Sequence, residues 1–294
     1  MRMKRVAAVA AAATLALGLA ACGDNGSDEG TGSGGESKSF AAGSTMERLN
    51  KAQAIKIGTK FDQPGFGQKG LSGKPEGFDV EVAKIIVKEL GIPEDKIEWV
   101  EAPSKVREDV LVNGTVDLVA ATYTINDKRK ERIAFAGPYY EAGQNIMVKK
   151  NDTAITGPDS FADGTKKVCS VTGSTPAEEI KKHVKDVATQ LVLFDTYDKC
   201  RDALKGGQVD AVTTDNVILL GYIAKDEASF KLAGANFTKE PYGIGVKKDD
   251  TDFRNFINDT LEKAYSDGSW KKAWDDTAGK FGAELGNPPA VNRY

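Results

Sequence analysis

Hydrophobic and polar positions alternate in short blocks from about residue 53 onward. Ala54-Ile55-Lys56-Ile57-Gly58 has the period of two expected of a strand. From Phe78-Asp79 the period lengthens. Val82, Ile85, Ile86 and Leu90 fall on one face of a helix that Gly91 and Pro93 close. Ile97 to Val100 reads as a second strand, Val106 to Asn113 as a short helix ended by Gly114, and Val116 to Ala121 as a buried strand. Another strand is expected at Asn145 to Val148. The rhythm then restarts, with a strand at Lys167 to Val171, a helix at Ala177 to Val187 and a strand at Leu191 to Leu193. A helix at Tyr197 to Leu204 and a strand at Asp210 to Val212 complete it. Strands alternating with helices predict an α/β fold with mostly parallel sheets, and two such runs predict two lobes.

The last third has a different pattern. After Tyr242 to Val246, the residues Phe253, Phe256, Ile257, Leu261 and Tyr265 form one helical stripe, and a further helix carries Trp270 and Trp274. This stretch has no sheet of its own and must pack on an existing lobe. If it returns to the first lobe, the chain crosses between lobes twice. That arrangement places a ligand cleft between the lobes and a hinge in the crossings.

The N-terminus belongs to a different regime. Arg2, Lys4 and Arg5 precede an apolar, Ala-rich run from Val6 to Ala20, too short for a confident membrane span. It ends in Leu19-Ala20-Ala21-Cys22-Gly23, which resembles a bacterial lipobox. The resemblance implies that Cys22 is diacylated, becomes the mature N-terminus and holds the protein durably at a membrane. Residues 23 to about 45 are Gly, Ser, Asp and Glu with few apolar side chains, a composition that reads as a flexible tether. Asp24-Asn25-Gly26-Ser27-Asp28 lacks the spacing of a calcium loop and is rejected as one.

Composition narrows the function. The 294 residues carry a formal charge of −3, which gives no electrostatic footprint for nucleic acid. One histidine rules out His-rich metal sites, and no carboxylate pair stands beside a plausible nucleophile. No cofactor is expected. Gly65-Phe66-Gly67-Gln68-Lys69-Gly70 fits the dinucleotide fingerprint by spacing, but Ser72-Gly73-Lys74-Pro75 follows where a helix should open, so a loop is expected. His183 sits among Lys181, Lys182 and Lys185 and reads as part of a solvated face. Cys169 and Cys200 remain once Cys22 is acylated. Outside the membrane such a pair is expected to be oxidised, two independent buried thiols being the alternative.

Four segments carry a family resemblance. They are Glu76-Gly77-Phe78-Asp79-Val80; Arg107 with Leu111, Asn113-Gly114 and Val116-Asp117; Ala121 to Arg129 leading into Phe135-Ala136-Gly137-Pro138-Tyr139; and Ser170 to Pro176 paired with Val209 to Asp215. Over about residues 53–280 the chain resembles the polar amino-acid-binding proteins of ABC importers, the family 3 solute-binding proteins. Lys60-Phe61-Asp62-Gln63-Pro64-Gly65 and the cysteine pair further resemble the glutamate-binding lipoproteins of actinobacteria.

The resemblance implies a two-lobed, type II periplasmic-binding-protein fold, with each lobe a mostly parallel sheet flanked by helices. The expected division is 1–21 leader, 22–52 acylated cysteine and tether, 53–145 first lobe, 146–241 second lobe, 242–285 return segment and 286–294 tail. It also implies a site. Arg129 offers a planar fork to the ligand's α-carboxylate, and Thr124 a hydroxyl or N–H beside it. Thr172 and Gly173, ahead of a helix near Pro176, suit an anion. Asp215 at the end of a buried strand meets the ammonium. Lys60 and Arg107 face the distal end, where they would favour an acidic ligand. Thr122 and Tyr197 are further candidates. The expected protein is a monomeric, lipid-anchored extracellular receptor that is not an enzyme and delivers glutamate, or aspartate, to the membrane subunits of an ABC permease. The alternatives are a glutamine, asparagine or broad polar amino-acid receptor, a sensory or adhesion lipoprotein, and an enzyme such as a dehydratase on the same fold.

Overall fold

A computed structural model describes residues 38–294. Cys22 and the leader lie outside the described residues. In chain order the elements are α1 (Thr45–Ala52), β1 (Ile55–Thr59), a small ribbon of β2 (Asp62–Gln63), β3 (Gly67–Lys69) and β4 (Pro75–Glu76), then α2 (Phe78–Glu89), β5 (Ile97–Glu101), α3 (Arg107–Val112), β6 (Leu118–Val119), α4 (Asp127–Lys130) and β7 (Ile133–Ala142). They continue with β8 (Gln144–Lys149), β9 (Val168–Val171), α5 (Thr175–Ile180), α6 (Val187–Gln190), β10 (Leu191–Phe194), α7 (Tyr197–Lys205), β11 (Ala211–Asp215), α8 (Asn216–Lys225), β12 (Phe230–Leu232), β13 (Glu240–Lys247), α9 (Thr251–Asp267) and α10 (Ser269–Asp276).

Two five-stranded sheets repeat one plan. The first has the order β5-β1-β6-β13-β7 and the second β10-β9-β11-β8-β12. In each, three parallel strands are followed by one antiparallel strand, β13 or β8, and then by an edge strand, β7 or β12, that again runs with the first three. The chain passes from the first sheet to the second between β7 and β8, and returns between β12 and β13. Each crossing leaves an edge strand of one sheet and enters the antiparallel strand of the other, so each lobe is tied directly to the crossing segments. This is the two-lobed type II architecture.

Aromatic packing joins the return segment to the first lobe. Phe66, from the ribbon, lies about 6 Å edge-on from Phe78, Tyr140, Tyr242 and Trp274. Trp274 stacks on Tyr140 at 4.8 Å, and Trp270 donates its indole N–H to the Tyr139 carbonyl at 2.9 Å. The Cys169–Cys200 disulfide ties β9 to α7. At the C-terminus the Asn292 N–H donates to Gly137 and the Phe135 N–H to the Tyr294 hydroxyl, which fastens the tail along edge strand β7.

Several expectations need correction. The tether was expected to run to residue 52, but Thr45–Ala52 is a helix. Ser44 caps it, accepting the Glu47 N–H at 3.1 Å, and Met46 and Leu49, three apart, bury one face. The helix expected from Ala177 to Val187 stops at Ile180, and Asp186 caps a separate short turn of helix. The strand expected from Val116 to Ala121 pairs only at Leu118–Val119, because the chain then turns toward the cleft. Strand β7 was not expected at all. The segment from Gly65 to Gly70 folds into the β2–β3 ribbon and opens no helix. His183 is half-buried, edge-on to Phe237 at 5.8 Å and beside the exposed Asp159.

Candidate functional site

The site forms where segments leave the carboxyl ends of parallel strands, the usual place for ligands in open α/β sheets. Lys60 follows β1 and Thr122 to Thr124 follow β6. Gly173 to Thr175 follow β9, and Asp215 ends β11. Arg107 opens α3 and Arg129 sits on α4. Glu240 begins β13, on the second crossing. Lys60, Arg107, Thr122, Thr124, Arg129, Tyr197, Asp215 and Glu240 are all buried.

One half of the site is cationic. The Arg107 guanidinium lies 4.1 Å from the Tyr123 ring centre and donates to the carbonyls of Ala121 at 2.7 Å and Thr122 at 3.3 Å. Arg129 lies 5.0 Å from the same ring. It donates to the Thr124 carbonyl at 2.6 Å and, across the cleft, to the Gly173 carbonyl at 3.1 Å, and it pairs with Glu108 at 3.2 Å. Burial and the charge of Arg107 pull Arg129 down to about 10, so it stays charged at neutral pH. The Lys60 ammonium donates to the Ser104 hydroxyl at 2.8 Å. Burial, then the charge of Arg107, pulls it down to about 7. Among the described residues, neither Lys60 nor Arg107 has a carboxylate within 4.0 Å. Buried ammonium and guanidinium groups facing only neutral oxygens are costly and favour an anion beside them.

The other half is acidic. Asp215 accepts the Tyr242 hydroxyl at 2.5 Å through one oxygen, while its other oxygen is buried without a protein partner. Burial, then the charge of Glu240, pushes Asp215 up to about 8. Glu240 accepts hydroxyls from Thr124 and Thr175, each at 2.7 Å, and from Thr238 at 2.9 Å. An ammonium placed here would meet a carboxylate that protein groups leave half-satisfied.

Between the halves, Thr122 adopts a left-handed backbone, φ 45°. Its N–H donates to Asp79 at 2.8 Å, and Asp79 also accepts the Tyr139 hydroxyl. Burial pushes Asp79 up to about 7 despite these bonds. The left-handed turn aims the carbonyls of Ala121 and Thr122 at Arg107. Sequence reasoning quoted Gly77-Phe78-Asp79 but gave Asp79 no role. It also missed Tyr123, Ser104, Thr175 and Glu240. Tyr123 and Thr175 lie within the motifs Ala121 to Arg129 and Ser170 to Pro176, whereas Ser104 and Glu240 stand outside any motif.

Groups on three of the expected residues are held by protein partners. The Thr172 N–H is taken by the Phe194 carbonyl at 2.9 Å, so the polar turn facing the cleft begins two residues later. There Ser174 caps α5, accepting the Ala177 N–H at 3.0 Å. The Thr124 hydroxyl is directed at Glu240, and the Thr122 hydroxyl at Gln63 and its neighbour's carbonyl. Gly173 does reach the cleft. Its φ is +79°, and a side chain there would fall 2.8 Å from the Lys105 backbone across the cleft. A cleft of about 270 Å³ opens onto Arg129, Ser104, Glu108, Gly173 and Thr175. A larger one, about 590 Å³ near Lys149, Lys205 and Phe230, brings no such opposed charges together. No group of three His, Cys, Asp or Glu side chains suited to a metal occurs among the described residues.

Residues 55–276 match the family of bacterial extracellular solute-binding proteins, family 3. The chain belongs to that family. Its members are binding receptors, in agreement with the expectation that this is no enzyme. The chain is 40% identical to the glutamate-binding protein GluB of Corynebacterium efficiens, over 94% of its own length and 91% of the relative's. It is 37% identical to the ABC transporter glutamine-binding protein GlnH of Bacillus subtilis, over 92% and 96%. Among solved structures, an ancestral arginine-binding protein bound to arginine superposes with a TM-score of 0.71 at 36% identity, covering 76% of this chain and 98% of that one. An L-cysteine solute receptor of Neisseria gonorrhoeae superposes at 0.75 and 30% identity, covering 84% and 99%. No helix among the described residues is long and apolar enough to cross a membrane.

Proposed function

We propose that this family 3 receptor binds glutamate in the cleft between its lobes and delivers it to the membrane subunits of an ABC importer, held at the extracellular face of the membrane by lipid on Cys22. One observation carries the ligand assignment: Lys60 and Arg107 are both buried at one end of the site, and their hydrogen bonds go only to neutral oxygens. In this reading the α-carboxylate of glutamate lies at Arg129 and its ammonium at Asp215, and its side-chain carboxylate supplies the anion that Lys60 and Arg107 lack. The glutamate-binding relatives at 40% and 39% identity support it.

The glutamine-binding relatives at 37% and 36% favour a second reading, an amide-selective or broad polar receptor. Thermal unfolding of the protein with each of the twenty amino acids separates the two. Glutamate should raise the midpoint most, with aspartate next. A larger rise with glutamine or asparagine favours the second reading. Anchoring has its own test. Cys22→Ala should release the protein from the membrane fraction with ligand affinity unchanged, and full retention would remove the lipid anchor from the account.

A further inference from the structure

Asp62 stands in the Lys60-to-Gly65 motif but has no place in the ligand assignment. It belongs to the ribbon on the first lobe and is buried against the second. Its carboxylate accepts the N–H of Tyr197, the first residue of α7, at 2.7 Å. Its own carbonyl accepts the Tyr222 hydroxyl, from α8, at 2.5 Å. Two helices of the second lobe thus hold one residue of the first, by two bonds of different kinds. Two residues along the ribbon, the fit is backbone to backbone. A side-chain carbon on Gly221 of α8 would lie 2.3 Å from the Pro64 carbonyl oxygen.

We propose that Asp62 is a positioning residue for ligand binding: it docks the start of α7, and with it Tyr197, against the loop that carries Lys60, and so stabilises the lobe-closed form in which the site is complete. This inference rests on the receptor reading above. The bonds join groups on different lobes, so they are made only when the lobes meet. Their free energy adds to that of any ligand held in the closed form and is withheld from the open one. A charge-assisted bond lost at such a contact weakens binding by roughly ten- to a hundred-fold. The same logic makes Gly221 and Pro64 a contact that tolerates no added atom.

The test starts from the amino acid that binds wild-type protein most tightly among the twenty. Asp62→Ala should weaken that ligand about ten- to a hundred-fold. It should also reduce the ligand-induced compaction seen by solution X-ray scattering, with ligand-free thermal stability unchanged. Asp62→Asn should recover most of the affinity, because its carboxamide oxygen still accepts the Tyr197 N–H. Gly221→Ala should weaken binding and block compaction without altering any group near the ligand, and it decides the matter if Asp62→Ala does not fold. Wild-type affinity in both Asp62→Ala and Gly221→Ala overturns the latch. So does an Asn variant as weak as the Ala variant, which would assign Asp62 a purely electrostatic role beside Lys60. If glutamine is the tightest ligand, the glutamate assignment fails while the latch is still measured. A wild-type protein that binds none of the twenty overturns both.

Discussion

Arg107 and Arg129 lie against the same aromatic ring, that of Tyr123, at 4.1 and 5.0 Å from its centre. Two buried guanidinium groups repel each other, and the ring face offsets part of that cost. Phe135 fixes the ring in turn, edge-on at 4.8 Å. The spacing between the two arginines is therefore set by core packing. In a ligand with two carboxylates, it would set which chain length fits.

Arg129→Ala should abolish binding of every amino acid, since all share the carboxylate it is placed to hold. Loss of a buried charged anchor costs about 2–5 kcal/mol, roughly 30- to 5,000-fold in affinity. Arg129→Lys should fare little better, because a point ammonium lacks the planar fork whose separate nitrogens reach Thr124, Gly173 and Glu108. Calorimetry against glutamate and glutamine checks both variants.

Binding should exchange protons, and the sign should reverse with pH. Burial pushes Asp215 up to about 8, and an ammonium beside it favours ionisation, so below that pH the arrival of the ligand's ammonium releases a proton. Burial pulls Lys60 down to about 7, and a carboxylate beside it favours the charged form, so above that pH the arrival of the ligand's carboxylate takes a proton up. Asp79, near 7, acts in the same sense as Lys60 when an anion arrives. Net release is expected at pH 6 and net uptake at pH 8.5. Calorimetry in buffers of different ionisation enthalpy reads the sign directly.

Removing the disulfide with Cys169→Ala and Cys200→Ala together should cost stability. For residues 31 apart, the chain-entropy relation gives about 3–4 kcal/mol. Denaturant unfolding measures it. Binding should weaken as well, because α7 carries the Tyr197 N–H that meets Asp62.

Gly173→Ala should weaken all ligands alike. The residue has positive φ, and an added carbon would press on the Lys105 backbone across the cleft. Glutamate and glutamine affinities should fall by the same factor, which separates this steric effect from the charge effects at Lys60 and Arg107.

Elements with an unbroken period were legible in the sequence. Strands β1, β5, β9 and β10 and helices α2 and α7 follow their alternation closely. Strand β7 was not, because Gly137-Pro138 interrupts its apolar run and reads as a turn. Helix α1 hid behind a low-complexity segment, its two buried apolar residues too few to show a stripe. Of the site, Lys60, Arg107, Arg129 and Asp215 were expected from the family resemblance, and the structure buries all four. Glu240 and Tyr123 were not expected. Glu240 gains its role only when β13 returns to the first sheet, bringing it to Thr124, 116 residues away in the chain. Tyr123 reads as one more core aromatic until two arginines are seen against it.

The central claim is that Lys60 and Arg107 read a second carboxylate. Glutamate and glutamine isotherms for the wild-type protein and for Lys60→Ala and Arg107→Ala test it most directly. The account predicts that wild-type protein prefers glutamate, and that each substitution weakens glutamate far more than glutamine, so that the preference narrows or reverses. Equal losses for the two ligands in both variants would contradict it and leave a general polar amino-acid receptor whose two buried cations serve the fold alone.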